Sequence, residues 1–274
     1  MKKIILLSGH SQRFLDKGYP VKPLIKIKGK MIIEYVVDTI RSIEEQNYDN
    51  YIFIVKRSDV IKYQIDDVIK QRFTGSTVKC IEDHWEGPVY SVLQIIDEIK
   101  NNEEVLISYC DLYIKWNFSA FEKHLNDTQC DGCVVSHTGW HPHRVYNKSF
   151  AYMKVDKETM TEIKEKQHYT DDPENEYASG GIYYFRKGSF IKKYFKQQYE
   201  KEQKVNNEHY VTMVYNSMIR DRLKVTHFDS KNYVCLGTPK DVEIFQAFLH
   251  LNEHFSVSSE TLHRAMDYFS LYGK

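Results

Sequence analysis

The chain has 274 residues, enough for one large domain or for one domain with an appendage. Basic and acidic side chains balance at 38 each, so no overall field favours nucleic acid or an anionic membrane surface. No apolar stretch approaches the length of a membrane span, and the opening apolar run is too short for a signal peptide. The composition therefore predicts a cytoplasmic protein that binds neither nucleic acid nor membrane.

The first 23 residues combine an apolar run with a basic loop. The run 4–7 is aliphatic and breaks at Ser8-Gly9 into a polar segment. Gly9 allows a backbone to approach a ligand closely, while Arg13 and Lys22 add two positive charges. This pattern predicts a strand that leads into a phosphate-binding loop, although a single glycine can also serve only as a turn residue.

Strand and helix patterns alternate through the first half of the chain. Predicted strands cover 4–7, 51–55, 77–81 and 103–109, and predicted helices cover 31–43, 60–72 and 89–100. Such alternation is typical of a parallel sheet wrapped by helices, where ligands bind at the carboxyl ends of the strands. We therefore predict an α/β fold with its site at that edge.

Asp111 follows the predicted strand 103–109 almost directly and so lies at such a carboxyl end. Hard oxygen ligands suit Mg²⁺, which commonly takes one or two carboxylates beside substrate phosphates. The alternative is an aspartate that only caps a turn. Together with the phosphate loop, Asp111 predicts a metal–nucleotide site.

These residues resemble the nucleotidyltransferases that make nucleotide sugars from a sugar 1-phosphate and a nucleoside triphosphate. The resemblance runs from about residue 2 to residue 248. Its segments are SGHSQRF at 8–14 with KPL at 22–24, KIKGKM at 26–31, EGPVYSVL at 86–93, Asp111, EIKEK at 162–166, ASGGIYYF at 178–185, EHY at 208–210 and LGTPKD at 236–241. Each motif alone is loose, but their order and spacing together are fairly specific.

The resemblance implies a Rossmann-like three-layer sandwich with a mostly parallel, mixed central sheet, which is the GT-A-like nucleotidyltransferase fold. It implies a nucleotidyltransferase domain over residues 1–250. Residues 251–274 carry apolar side chains at near-helical spacing, and this pattern predicts a C-terminal helical tail. The apolar side chains of this tail would pack either on the domain or against a second subunit. The second arrangement would make the protein a homo-oligomer.

The resemblance also implies roles for individual residues. Arg13 would bind the triphosphate and the departing pyrophosphate, Lys22 the α-phosphate and the incoming phosphate, and Asp111 would hold Mg²⁺. The nucleotide-binding positions would be Ser8, Gly9, His10, Ser11, Gln12, Glu86, Gly87 and Pro88. The substrate-binding positions would be Tyr113, Lys166, Glu176, Gly180 and Gly181.

Two positions depart from the family's pattern. Ser11 stands where members have a second glycine, which costs about 1 kcal/mol if the position needs a positive φ. Cys235 stands where many members have a second metal-binding aspartate. The metal site would then use a single carboxylate or a different second ligand, such as Asp229.

Three histidines, His137, His141 and His143, form a cluster near Trp140 and Arg144. No carboxylate stands at matching metal-ligand spacing. We interpret the segment as a loop that lines the acceptor pocket.

The implied activity is transfer of a nucleoside monophosphate from a nucleoside triphosphate to a sugar 1-phosphate, or a similar phosphorylated acceptor. Pyrophosphate would be released with Mg²⁺ as cofactor, and the product would supply cell-surface glycans such as capsule polysaccharide. One alternative is a CTP-dependent cytidylyltransferase that acts on a phosphorylated alcohol such as phosphocholine. Two others are a GT-A-type glycosyltransferase and a catalytically silent nucleotide-binding protein; neither of these would release pyrophosphate.

Overall fold

The structure is a computed structural model that describes residues 1–139, 141 and 149–254, and elements are numbered over this part of the chain. The strands are β1 (Lys2–Leu6), β2 (Lys26–Ile27), β3 (Lys30–Met31), β4 (Tyr51–Lys56), β5 (Thr77–Ile81), β6 (Val105–Tyr109), β7 (Leu112–Ile114), β8 (Gly132–His137), β9 (Ala151–Asp156), β10 (Thr159–Glu165), β11 (Tyr177–Phe185), β12 (Val225–Asp229) and β13 (Tyr233–Cys235). The helices are α1 (Gln12–Leu15), α2 (Ile32–Ile40), α3 (Arg57–Tyr63), α4 (Ile65–Arg72), α5 (Pro88–Leu93), α6 (Phe118–Thr128), α7 (Gly188–Glu200), α8 (Val211–Arg220) and α9 (Pro239–His254).

Nine strands form a central mixed sheet in the order β5-β4-β1-β6-β11-β8-β12-β10-β9. Strands β5, β4, β1 and β6 run parallel, and β11 enters antiparallel beside β6. Ile4 and Ile5 are both fully buried but belong to separate hydrophobic clusters, because successive side chains of a strand point to opposite faces. Two packed faces make three layers, and the predicted fold class is confirmed.

The register of the sheet sets the position of the loops. Leu6 of β1 pairs with Tyr109 of β6, and Ser108 of β6 pairs with Ile182 of β11. The segments that follow β1 and β6 therefore leave the sheet side by side, next to the glycine-rich part of β11. This is the edge where the sequence predicts the site.

Two of the predicted helices differ from the observed ones. The predicted helix 60–72 is two helices, because Gln64 is left-handed with φ 50°. The change of direction lets Ile65 and Ile69 become fully buried. The predicted helix 89–100 is α5 followed by a separate 3₁₀ turn, Ile96–Glu98.

Helix α9 runs across the predicted boundary at residue 250, and residues 255–274 lie outside the described residues. The division into a domain and a tail therefore stays a prediction. In the described part of the chain, no helix combines the length and the apolar character that crossing a membrane requires.

Candidate active site

A cleft of about 700 Å³ opens at the carboxyl edge of β1 and β6. The loop after β1 and the turn before α5 form one side, which we call the basic side. Residues from the end of β6, from β10 and β11 and from the segment before α8 form the other, the tyrosine side. The lining includes twelve of the predicted site residues: Ser8, Gly9, His10, Ser11, Gln12, Arg13, Lys22, Gly87, Pro88, Asp111, Lys166 and Gly181.

The loop after β1 is held by a strained serine. Ser11 has φ 55°, so this position does take the left-handed conformation that favours glycine. Its hydroxyl accepts a hydrogen bond from the backbone N–H of Lys22 at 3.1 Å. Phe14 anchors the end of the loop in the core with no exposed surface. The bond from Lys22 offsets part of the strain at Ser11 and ties the two basic segments together.

Lys22 and Asp111 form an ion pair in the middle of the cleft. Lys22 Nζ lies 3.0 Å from Asp111 Oδ2. Burial lowers the pKa of Lys22, but the charge of Asp111, Cys110 and the hydrogen bond to Asp111 together outweigh burial and raise the pKa above its ordinary value. Lys22 therefore carries a fixed positive charge at neutral pH.

The turn before α5 brings a glycine close to another backbone. Gly87 has φ 88°, and Pro88 starts the helix. A Cβ on Gly87 would lie 2.7 Å from the His209 backbone nitrogen and 2.9 Å from the Glu208 Cβ. Only glycine fits here, for reasons of both conformation and space.

The sequence reasoning missed two residues of the basic side. Trp85 is 69% exposed and stacks on His10, with ring centroids 3.3 Å apart. His84 bonds to Ser91 Oγ at 3.0 Å, and Ser91 bonds to Ser8 Oγ at 2.7 Å. The position of His84-Trp85 directly before Glu86-Gly87 was the available signal.

The tyrosine side carries a buried carboxyl beside Lys166. Glu165 accepts a hydrogen bond from Thr212 Oγ1 at 2.6 Å. Burial raises the pKa of Glu165 to about 7, although the bond from Thr212 and the charge of Lys166 oppose this. The rings of Tyr109 and Tyr183 meet edge to face at 5.2 Å. Four tyrosines to which the sequence assigned no role, Tyr109, Tyr183, Tyr210 and Tyr233, also line the cleft.

Four predicted site residues lie outside the lining formed by the described residues: Glu86, Tyr113, Glu176 and Gly180. The Glu86 carboxylate pairs with Lys204 at 3.0 Å instead. Tyr113 belongs to β7, which pairs with β13 rather than with the main sheet, and its ring packs on Tyr35.

The other two residues have contacts of their own. Glu176 accepts hydrogen bonds from the backbone N–H groups of Tyr169 and Thr170. Gly180 is buried, and a Cβ there would lie 3.3 Å from the Val135 carbonyl oxygen. Neither residue presents a group to the cleft, so we leave both out of the site.

The described residues offer a metal ion the Asp111 carboxylate rather than a cage of several protein ligands. Within the described residues, no group of three or more acidic, histidine or cysteine side chains is placed to hold a metal. Asp229 accepts from the backbone N–H of Lys231 and does not line the cleft. Asp241 accepts from Thr238 Oγ1 at 2.7 Å. A single carboxylate at the cleft centre suits Mg²⁺, since that ion takes its remaining ligands from phosphates and water.

The Cys235 thiol lines the cleft near Asp111. Burial, together with the charges of Asp241 and Asp111, raises the pKa of Cys235 well above its ordinary value. Cys235 is therefore a neutral thiol in the folded protein. A thiol of this kind is a poor ligand for a hard cation.

Part of the histidine loop falls outside the described residues, namely Trp140, His143 and Arg144. His137 and His141 are described and buried. The His137 ring stacks on Tyr233 with centroids 4.0 Å apart. The predicted acceptor role of the loop stays a prediction.

A family model described as the MobA-like NTP transferase domain matches residues 3–166, which is more than half of the chain. The chain belongs to this family. It is a nucleotidyltransferase, so the resemblance and the predicted enzyme class are confirmed. No curated relative matches the sequence. The match ends at Lys166, so the tyrosine-side residues Tyr183, Glu208 and Tyr210 lie beyond it.

Solved structures that share the transferase's fold include the following two. A nucleoside-diphosphate-sugar pyrophosphorylase from Vibrio cholerae RC9 has a TM-score of 0.70 and 16% identity, over 89% of this chain and 99% of that one. An inositol-1-phosphate CTP transferase from T. maritima has a TM-score of 0.67 and 14% identity, over 93% of this chain and 97% of that one. At these identities the likeness concerns the fold alone.

Proposed function

We propose that the transferase moves a nucleoside monophosphate from a nucleoside triphosphate to a sugar 1-phosphate or a similar phosphorylated acceptor, with release of pyrophosphate. The product would supply cell-surface glycan synthesis. The observation that carries this proposal is one cleft that holds Arg13, Lys22 and Asp111 next to Lys166. These three cationic groups and the Asp111 carboxylate suit two phosphorylated ligands and a divalent cation.

The reaction needs positioning and charge neutralisation rather than a general base. A phosphate oxygen of the acceptor is already anionic and attacks the α-phosphorus in line, while pyrophosphate leaves. Lys22 would contact the α-phosphate and the incoming phosphate. Arg13 would bind the triphosphate and the departing pyrophosphate, and Lys166 would bind the acceptor phosphate.

Asp111 would hold Mg²⁺, which when bound neutralises phosphate charge. The Lys22–Asp111 pair keeps both groups in place, since each compensates the charge of the other in the cleft. Ser11 supports Lys22 through the bond to its backbone N–H. The loop and Asp111 thus form one prearranged unit.

The first test is a pyrophosphate-release assay with Mg²⁺. ATP, CTP, GTP, UTP and dTTP would each be paired with glucose 1-phosphate, inositol 1-phosphate and phosphocholine. We expect turnover with one pair, which would name both the base and the acceptor. Turnover with CTP and phosphocholine would identify the cytidylyltransferase alternative.

The matched variants are Asp111→Asn and Asp229→Asn, which make the same change inside and outside the cleft. Asp111→Asn should lower turnover by about 10²–10³, as loss of one charge-stabilising group does, and Asp229→Asn should leave it unchanged. Equal loss in both variants would reject Asp111 as the metal ligand. Absence of pyrophosphate with every pair, with nucleotide-sugar binding instead, would favour a glycosyltransferase or a silent protein.

A further inference from the structure

Lys166 is restrained by a tyrosine that the sequence reasoning left without a role. Lys166 Nζ donates a hydrogen bond to the Tyr210 hydroxyl at 2.6 Å. The ammonium also lies over the Tyr210 ring, 4.6 Å from its centroid. The Tyr210 hydroxyl in turn donates to the Glu208 carboxylate. Lys166 is therefore the end of a chain of contacts, unlike a solvated surface lysine.

This chain of contacts leads to the glycine turn of the basic side. The Cβ that Gly87 lacks would lie 2.9 Å from the Glu208 Cβ. The His209 N–H donates to the Glu86 carbonyl at 2.8 Å, and the Val89 N–H donates to the His209 carbonyl at 3.0 Å. Residues 208–209 and the turn at Gly87 thus form one hydrogen-bonded unit.

Further contacts, separate from those with the glycine turn, hold the segment 208–210. His209 has no exposed surface. Gln198, which is 2% exposed, donates from Nε2 to the Tyr210 carbonyl at 3.1 Å. The backbone that carries Tyr210 and Glu208 is therefore held on both sides, so their side chains offer Lys166 a fixed reference point.

We infer that Tyr210 and Glu208 are positioning residues that set the Lys166 ammonium at a fixed place relative to the glycine turn. The inference rests on the proposed function, in which Lys166 binds the acceptor phosphate. An in-line attack needs the acceptor phosphate and the nucleotide in register, and small displacements reduce such rates strongly. A lysine that is restrained before binding also loses less rotamer entropy when the phosphate arrives.

The test uses Tyr210→Phe, which keeps the ring and removes the hydroxyl, and Glu208→Gln, which keeps the shape and removes the charge. Kinetics would be measured with the pair of highest turnover in the panel above. The kcat/KM for the phosphorylated acceptor should fall about tenfold in each variant, the effect of losing a hydrogen bond to a charged group. The KM for the nucleoside triphosphate should stay unchanged.

A double-mutant cycle shows whether the effect passes through Lys166. In a Lys166→Met background, Tyr210→Phe should cause no further loss, because the group that it positions is gone. The matched control is Tyr199→Phe. The Tyr199 ring also contacts this segment, with its centroid 5.1 Å from that of His209, and Tyr199 does not line the cleft. Its kinetics should equal those of the wild type.

Three results would overturn the inference. The first is unchanged acceptor kcat/KM in both variants. The second is additive losses in the Lys166→Met background. The third is an equal rise of both KM values together with loss of thermal stability, which indicates a merely structural role. In each of these cases the wild type still releases pyrophosphate, so only the inference fails. If the wild type releases no pyrophosphate, the proposed function fails and the inference fails with it.

Discussion

The two sides of the cleft are built in different ways. The cationic groups of the basic side come from one continuous stretch, 8–13, and from Lys22 shortly after it, and the turn before α5 completes that side. The tyrosine side takes Tyr109 from the end of β6, Glu165 and Lys166 from the end of β10, Tyr183 from β11 and Tyr210 from the segment before α8. A short sequence motif can describe the first side, whereas the second exists only after the sheet has formed.

Under the proposed function, the two sides bind different ligands. One loop with fixed charges would bind the triphosphate, while a side assembled from separate elements would bind the acceptor. Four predictions test the contrast between the sides.

The largest effect is expected at Lys22. Lys22→Met removes the charge at the centre of the cleft and leaves Asp111 unpaired, so kcat/KM should fall by about 10²–10³. Because Lys22 serves both phosphates, the loss should be the same whichever substrate is varied. Steady-state pyrophosphate release measures this. Lys26→Met makes the same change at an exposed lysine nearby and should retain full activity. If Lys26→Met lowers kcat/KM as much as Lys22→Met, the loss is not specific to Lys22.

The second prediction concerns the contact between the two sides at Gly87. Gly87→Ala should lower the free energy of unfolding by about 2–4 kcal/mol, because it combines a positive φ with a clash against the backbone of His209. Urea unfolding measures the change. Gly9→Ala is the control, since a Cβ there meets no atom within 4 Å. Equal stability of both variants would show that the sides are not packed together at this point.

The third prediction concerns pH and the tyrosine side. The Glu165 carboxyl keeps its proton up to a pH of about 7 in the folded chain, against an ordinary pKa of 4.5. The folded state therefore loses stability as pH rises from about 4.5 to 7. Glu165→Gln should raise the free energy of unfolding by about 1–3 kcal/mol at pH 8 and change little at pH 4.5.

Urea unfolding across this pH range tests the prediction for Glu165. Glu44→Gln, at an exposed glutamate, should show no such dependence. A flat difference between wild type and Glu165→Gln would mean that the carboxyl is already ionised at low pH in the folded chain.

The smallest effect is expected at Ser11. Ser11→Ala keeps the positive φ but removes the bond to the Lys22 N–H, so it should destabilise the chain by about 1 kcal/mol. Ser11→Gly loses the same bond but relieves the strain, so it should be close to neutral. Thermal unfolding of the two variants compares them. A strongly stabilised Ser11→Gly would show that the hydroxyl bond contributes nothing.

The sequence by itself determined the first half of the fold and most of the basic side. Strand and helix periodicities are local properties, and the carboxyl ends of adjacent parallel strands must meet. Asp111 and the loop at 8–13 could therefore be placed together from spacing alone. The resemblance also singled out Ser11, which stands in place of a glycine and takes the left-handed conformation in the structure.

The resemblance singled out Lys166 and Gly181 on the tyrosine side, but only the tertiary structure decided the rest of that side. Tyr113 faces away because β7 pairs with β13, and no local pattern predicts that pairing. Gly180 and Gly181 are neighbours in sequence, yet only Gly181 lines the cleft, because β11 turns alternate residues to opposite faces. The bond from Lys166 to Tyr210 joins two segments 44 residues apart. Such long-range contacts form only when the sheet has assembled. The sequence of neither segment alone therefore predicts them.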